Sequence, residues 1–282
     1  MGSRTELTAP AGGIASRPLG APRWLRGLGI GGTAAGYIGI IVLLPLAALL
    51  AQVRTGGFSG FWDAVSTPAI VNALELSVGT ALLATVVNAV MGTLIAWVLV
   101  RDRFPGIGLI DSVVDLPFAL PTIVAGLTII ALYGPRSPLG VNITFTRTAI
   151  LVALLFVTLP FVVRAVQPVL EALEAEVEEA AMTLGASRLQ TFRRVVLPAL
   201  VPAIATGAGL TFAKAVGEFG SVVLVSGNLP GKTQVASVAI AGMAASGNTG
   251  GAAALSAVLL AISLVVLLSI AAVGWRTGRR GG

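Results

Sequence analysis

The chain has 282 residues, of which 56% are hydrophobic and only 11% charged, and its mean hydropathy is +0.95. A soluble domain carries about 25% charged residues, so this composition belongs to a membrane protein. There is no Cys and no His, which excludes disulfides, thiolate nucleophiles, most zinc sites and the usual general base near neutral pH, and with them a soluble enzyme built on those chemistries.

Residues 1–26 are rich in Gly, Pro, Ala and Ser, carry Arg4, Arg17, Arg23 and Arg26, and read as a disordered tail. A helix needs about 20 apolar residues to cross roughly 30 Å of hydrocarbon, and six stretches are long enough. The first, near 29–53, is longer than the apolar core of a signal peptide, about 7–15 residues, and reads as a retained anchor; with its outer loop it fills 27–69. The others lie near 77–100, 110–133, 148–169, 198–225 and 252–275, inside a core at 70–276 that a basic tail, 277–282, follows. The expected fold class is all-α: a polytopic membrane protein with six transmembrane helices.

Basic residues set the orientation. With the N-terminus inside, the inner segments hold Arg4, Arg17, Arg23, Arg26, Arg101, Arg103, Arg164, Arg188, Arg193, Arg194, Arg276, Arg279 and Arg280, and the outer ones only Arg54, Arg136, Arg147 and Lys232. Both termini are expected in the cytoplasm. The net charge of +6 is then the positive-inside bias, and no nucleic-acid partner is needed to account for it.

Between the fourth and fifth spans lies a polar island on the cytoplasmic side, the loop 171–197. Residues 171–184, EALEAEVEEAAMTL, contain no Gly or Pro and predict one helix with an apolar stripe at Leu173, Val177, Ala180, Ala181 and Leu184. Gly185 ends it in the manner of a C′ glycine. Ser187 is the N-cap expected for a second helix, 188–197, which Pro198 and Pro202 hand over to the fifth span. A charged loop of this kind can lie solvated on the headgroups, but an anionic inner leaflet disfavours an acidic helix there.

The island also carries a long pattern: Glu179-Ala180-Ala181, three residues, Gly185, nine residues, then Val195-x-Leu197-Pro198. It resembles the EAA loop of ATP-binding-cassette importer permeases at every position. The resemblance implies a type I importer permease (MetI-like) fold in a bacterial plasma membrane. It also implies that Glu178, Glu179, Ala180, Ala181, Gly185, Ala186, Leu197 and Pro198 form the contact with a separate ATPase dimer. ATP and Mg would be bound there, and no cofactor on this chain.

Further segments narrow the resemblance: Asp115-Leu-Pro-Phe-Ala-Leu-Pro-Thr122 in the third span, Leu159-Pro-Phe-Val-Val-Arg164 in the fourth, and Gly217-Glu-Phe-Gly220 in the fifth, followed by Gly227-Asn-Leu-Pro-Gly-Lys-Thr233. Over about residues 70–275 these are similar to the T-type permease of sulfate/thiosulfate importers. Molybdate and tungstate permeases are near relatives and the alternative in the same class. The resemblance implies a second, related permease subunit and an extracytoplasmic sulfate-binding protein as partners, besides membrane lipid.

Pro117 and Pro121 break the ladder of the third span, which a membrane tolerates only where protein buries the break or water lines it. They mark either a packing kink or a pathway, with Phe118 and Thr122 beside them. Lys214 and Glu218 stand out as ionisable residues within a span. Lys214 is about 24 Å along the fifth helix from Pro198 at 1.5 Å per residue, and Glu218 follows four residues later. Either they form a neutral pair facing a partner subunit, or Lys214 supplies positive potential along an anion route while Glu218 holds the gate-side conformation, with Phe219 and Gly220 as further pathway or gate candidates beside them.

Two short patterns are set aside. The Gly227–Thr233 run is one residue short of a P-loop and falls in an outer segment, so ATP must be handled by another chain. Asn142-Ile-Thr144 matches a glycosylation sequon too common to weigh. An outer helix is expected over 233–245, facing the solute-binding protein. A secondary anion transporter would need mid-membrane coupling carboxylates or repeated broken helices in two halves; no internal repeat is present. A non-transporting assembly subunit leaves the Gly-rich outer segment without a purpose.

Overall fold

The computed structural model describes residues 32–55 and 57–278. The tail 1–26, the start of the first span at 29–31 and residues 279–282 of the basic tail lie outside them. The chain divides into two units, Met1–Ala48 and Leu49–Gly282. In the first, residues 32–48 belong to an apolar helix, α1 (Gly32–Val53), with a π-helical turn at Gly39–Leu43.

The second unit holds α2 (Gly57–Val65), α3 (Pro68–Arg101), α4 (Ile107–Val114), α5 (Leu116–Ala119), α6 (Thr122–Tyr133), α7 (Arg147–Ala172) and α8 (Ala175–Thr183). After them come α9 (Arg188–Val216), α10 (Gly220–Val225), α11 (Ala236–Ala245) and α12 (Thr249–Gly278). Among the described residues every regular element is helical. Of these helices α1, α3, α7, α9 and α12 are long and apolar enough to cross a membrane.

The third expected span, 110–133, is not one helix. Leu120 takes an extended ψ of 133°, the conformation that a following proline favours. Pro117 lies in the first turn of α5 and Pro121 is the N-cap of α6, positions where a missing N–H costs least. The prolines thus start helices here rather than kink one, and the longest piece is the 12-residue α6. The fifth expected span also divides: α9 stops at Val216, Gly217 is its C-cap, and the six-residue α10 follows.

Two other expectations are corrected. The predicted second loop helix, 188–197, is not separate, because the chain runs unbroken from Arg188 to Val216 through a π turn at Phe192–Val196. There Leu197 N–H reaches Phe192 O, five residues back. An α-helix would drive the Pro198 ring against the carbonyl four residues before it, and the widened turn makes room for the ring. The outer helix is shorter than 233–245. It begins at Ala236, whose N–H donates to Ser77 Oγ of α3 at 2.7 Å.

Lipid tails compete for every apolar contact, so helices in a membrane associate by close approach and by polar bonds. Both occur on α7. The small buried residues of α3, Ala81, Ala84, Gly92 and Ala96 among them, line the face turned to the bundle. A Cβ on Gly92 would come 2.8 Å from Val162 Cβ, and one on Gly207 of α9 2.8 Å from Val162 Cα. Val162 is therefore gripped from both sides by helices that glycine lets in. Asn88 of α3 donates to Leu155 O (3.1 Å) and Thr158 Oγ1 (2.9 Å).

Gly207→Ala is expected to lower the thermal midpoint of the detergent-purified protein, by the roughly 1–3 kcal/mol of an overpacked contact. Gly79→Ala, where a Cβ meets nothing within 4 Å, should leave it level or raise it. Equal midpoints for the two variants would contradict this packing.

Candidate functional site

The polar loop is built by local chemistry at each turn. Helix α8 ends in a Schellman turn: Gly185 N–H bonds Met182 O at 2.9 Å, Ala186 N–H reaches Ala181 O at 3.1 Å, and Gly185 has φ +91°. Ser187 then caps α9 in a complete capping box. Its Oγ accepts from Gln190 N–H at 3.3 Å, and Gln190 Oε1 accepts from Ser187 N–H at 2.8 Å. The turn is thus as well specified as the helices beside it.

The predicted helix over 171–184 is two pieces. Helix α7 ends at Ala172, Leu173 and Glu174 are extended (ψ 106° and 129°), and α8 starts at Ala175. Glu179, Ala180, Met182 and Leu184 are exposed, Leu184 to 89%. Ala181, Ala186 and Leu197 are half-buried, and Pro198 is exposed. Glu178 is different. Its Oε1 accepts from Arg101 Nε (3.0 Å) and NH2 (2.8 Å) at the end of α3, so it faces the bundle rather than the outer surface of the loop.

A second site forms where the two broken spans meet. The starts of α6 and α10 cross so closely that a Cβ on Gly220 would lie 2.2 Å from Thr122 Oγ1 and 3.1 Å from Ile123 N. A Cβ on Gly126 would lie 2.8 Å from Ser221 O. Glu218, in the break, is buried, and its Oε1 accepts from Ser221 N–H (3.1 Å) and Ser221 Oγ–H (3.0 Å). Its backbone O accepts from Ser237 Oγ of α11 at 2.7 Å. Lys214 Nζ sits 2.7 Å from Oε2, with 39% of the lysine side chain exposed. The pair expected from sequence is present, but across a helix end rather than along one helix.

Pro121, Thr122, Lys214, Glu218, Phe219 and Gly220 are therefore gathered at one junction. Phe219 is exposed and Pro117 buried, and the exposed Phe118 packs edge-on against Phe161 with ring centres 5.1 Å apart.

Sequence reasoning missed one charged cluster. Arg164 of α7 holds Asp115 through Nε (2.7 Å) and NH2 (2.6 Å), and Asp111 through NH1 (2.7 Å), and NH1 also donates to Gln167 Oε1. It staples α4 and the α4–α5 joint to α7. The spacing of Asp111 and Asp115, one helical turn apart in an apolar run, was the available signal.

Residues 88–279 match the family described as binding-protein-dependent transport system inner membrane component. The chain belongs to this family. Among its curated relatives, the sulfate transport system permease protein CysT of Salmonella typhimurium is 45% identical over 256 residues, covering 88% of this chain and 92% of its own. That of Synechocystis sp. is 47% identical over 241 residues, covering 83% and 84%, and that of Escherichia coli 43% over 256 residues.

Solved structures agree in fold. A bacterial ABC transporter involved in import of the acidic polysaccharide alginate matches with a TM-score of 0.73 at 17% identity, over 90% of this chain and 96% of that one. A methionine ABC transporter in an inward-facing conformation matches at 0.54 and 21% identity, over 75% and 95%. The chain is accordingly a multi-pass membrane permease with an importer fold, not an enzyme.

Gly220→Ala should destabilise this permease, and Thr122→Ala should recover part of the loss. The coupling between the two sites is expected at roughly 0.5–3 kcal/mol, the range for residues in contact, measured by a double-mutant cycle on thermal unfolding in detergent. Strict additivity would contradict the crossing of α6 and α10.

Proposed function

We propose that this chain is the permease subunit of an ATP-driven sulfate importer of a bacterial plasma membrane, forming half of the pore with a second, related permease. Both termini and the 171–197 loop lie in the cytoplasm. An extracytoplasmic sulfate-binding protein delivers the anion, and a separate ATPase dimer binds ATP and Mg. The observation that carries the reading is the polar loop. It is an EAA pattern complete at every position and folded into a helix–turn–helix, and it leaves Glu179, Ala180, Met182 and Leu184 exposed. The cargo rests on the relatives, whose names are those of sulfate permeases; they do not favour molybdate.

The mechanism follows from the division of labour. This chain carries out no covalent step. Closure of the ATPase dimer moves α8 and α9, and α9 ends at the break occupied by Glu218. Thr122, Lys214, Phe219 and Gly220, at the crossing of α6 and α10, then form the gated part of the path. Lys214 supplies a positive charge there, and Glu218 ties that charge to the start of α10. Exposed apolar side chains on α3, Leu82, Leu83, Val86, Val90 and Leu94 among them, suit contact with lipid or with the partner permease.

The direct test is uptake of labelled sulfate into proteoliposomes holding both permeases and the ATPase, with binding protein added. Uptake is expected only with ATP. Uptake without the ATPase would overturn the reading, and ATP-driven uptake of molybdate but not sulfate would overturn the cargo. In the same assay, Gly185→Val should insert normally but transport about tenfold less, because a left-handed turn costs a side-chain-bearing residue about 1–2 kcal/mol. Unchanged transport would remove Gly185 from the coupling role.

A further inference from the structure

The loop helix α8 is joined to the span α7 by an elbow, not by continuous helix. Leu173 and Glu174 are both extended, and Glu174, the N-cap of α8, makes no side-chain capping bond. Leu173 N–H still bonds Val169 O, and Val177 N–H bonds Glu174 O, so each helix is closed on its own side of the joint. No backbone hydrogen bond crosses the joint itself, and the backbone restrains α8 only at its far end, through the Gly185 turn into α9. Two extended residues are a hinge unless something outside the hinge spans it.

Arg101, the last residue of α3, does so. Its NH2 donates to Leu173 O, in the elbow, at 2.8 Å. The same NH2 and Nε donate to Glu178 Oε1, in the first turn of α8, at 2.8 Å and 3.0 Å. The guanidinium lies over Trp97, 5.9 Å from the ring centre, and Trp97 packs edge-on against Phe192 of α9 at 5.6 Å. Both charged side chains are largely sheltered, at 18% and 15% exposure. A planar guanidinium fixes direction as well as distance, which a lysine ammonium does not. One side chain therefore holds the elbow, the loop helix and the end of α3 in a single geometry.

We propose that Arg101 is the strut that makes α8 and α3 move as one body, and so a positioning residue for transport. This rests on the reading of the loop as the ATPase contact. Glu179 and Ala180 are exposed for that contact, while their neighbour Glu178 turns inward to Arg101. A push on the outer side of α8 is thereby delivered to the end of a 34-residue helix. That helix is in turn locked to α7 where Gly92 meets Val162. Without Arg101, α8 swings on Leu173 and Glu174, and the ATPase stroke is absorbed at the elbow. Arg101 lies 72 and 77 positions from the two groups it joins, and Glu178 directly precedes the Glu179-Ala180-Ala181 of the loop pattern.

The test uses the absence of native cysteine. Spin labels on Asp102→Cys and Ala180→Cys in the purified permease report the angle between the end of α3 and the loop helix. A narrow distance distribution is expected with Arg101, a broad one with Arg101→Gln, and an intermediate one with Arg101→Lys. In the assembled complex, Arg101→Gln should lower sulfate moved per ATP hydrolysed by about tenfold or more, the factor to which loss of a charged hydrogen bond corresponds. The ATPase should still co-purify. A purely stabilising residue would reduce the yield of complex and leave that ratio alone. An unchanged ratio with an unbroadened distribution overturns the strut. If the ATPase fails to co-purify even with the unaltered chain, the loop reading is overturned instead, and the spin-label result still decides the strut.

Discussion

Hydrocarbon offers a backbone amide nothing to bond to, and this chain is organised around the two places where its apolar helices nevertheless stop. One is the extended Leu120 before Pro121, and the other is Gly217 to Phe219. The chain solves both by laying one break against the other. Gly126 and Gly220 let backbone approach backbone, and the Glu218 side chain and Ser237 hydroxyl take up polar groups that the second break releases. A carboxylate inside an apolar bundle is costly, and Lys214 at 2.7 Å offsets that cost. The ion pair therefore has a structural task that the break itself creates.

Around these breaks the remaining features hold the helices in place. Val162 is gripped between Gly92 and Gly207, Arg164 ties Asp111 and Asp115 to α7, and the loop turn carries both a Schellman turn and a capping box. The compliant joint at Leu173 and Glu174 is the one that Arg101 spans.

What could be read from sequence was mostly what is local. The Gly185 turn and the Ser187 cap depend on residues within a few positions of one another, and both are found as written. The failures are tertiary. Residues 171–184 are strong helix formers, yet the helix stops at Ala172 and resumes at Ala175, where Arg101 from a distant helix takes the Leu173 carbonyl. Hydropathy alone carries the third and fifth apolar runs through their breaks, because an average over a span absorbs one proline or one ion pair. Pro121 gave partial warning of the first, and Gly217 with the ionisable Glu218 of the second. The inward turn of Glu178 had no signal at all, since its partner is 77 positions away.

On the proposed function, a separate ATPase takes hold of this permease at the exposed face of α8. Because the chain has no cysteine of its own, a single Ala180→Cys can be cross-linked in the assembled complex with a short thiol-reactive reagent. A covalent adduct between the permease and the ATPase is expected from Ala180→Cys, and none from Ser246→Cys at the end of α11. An adduct absent from Ala180→Cys in a complex that transports sulfate would contradict it.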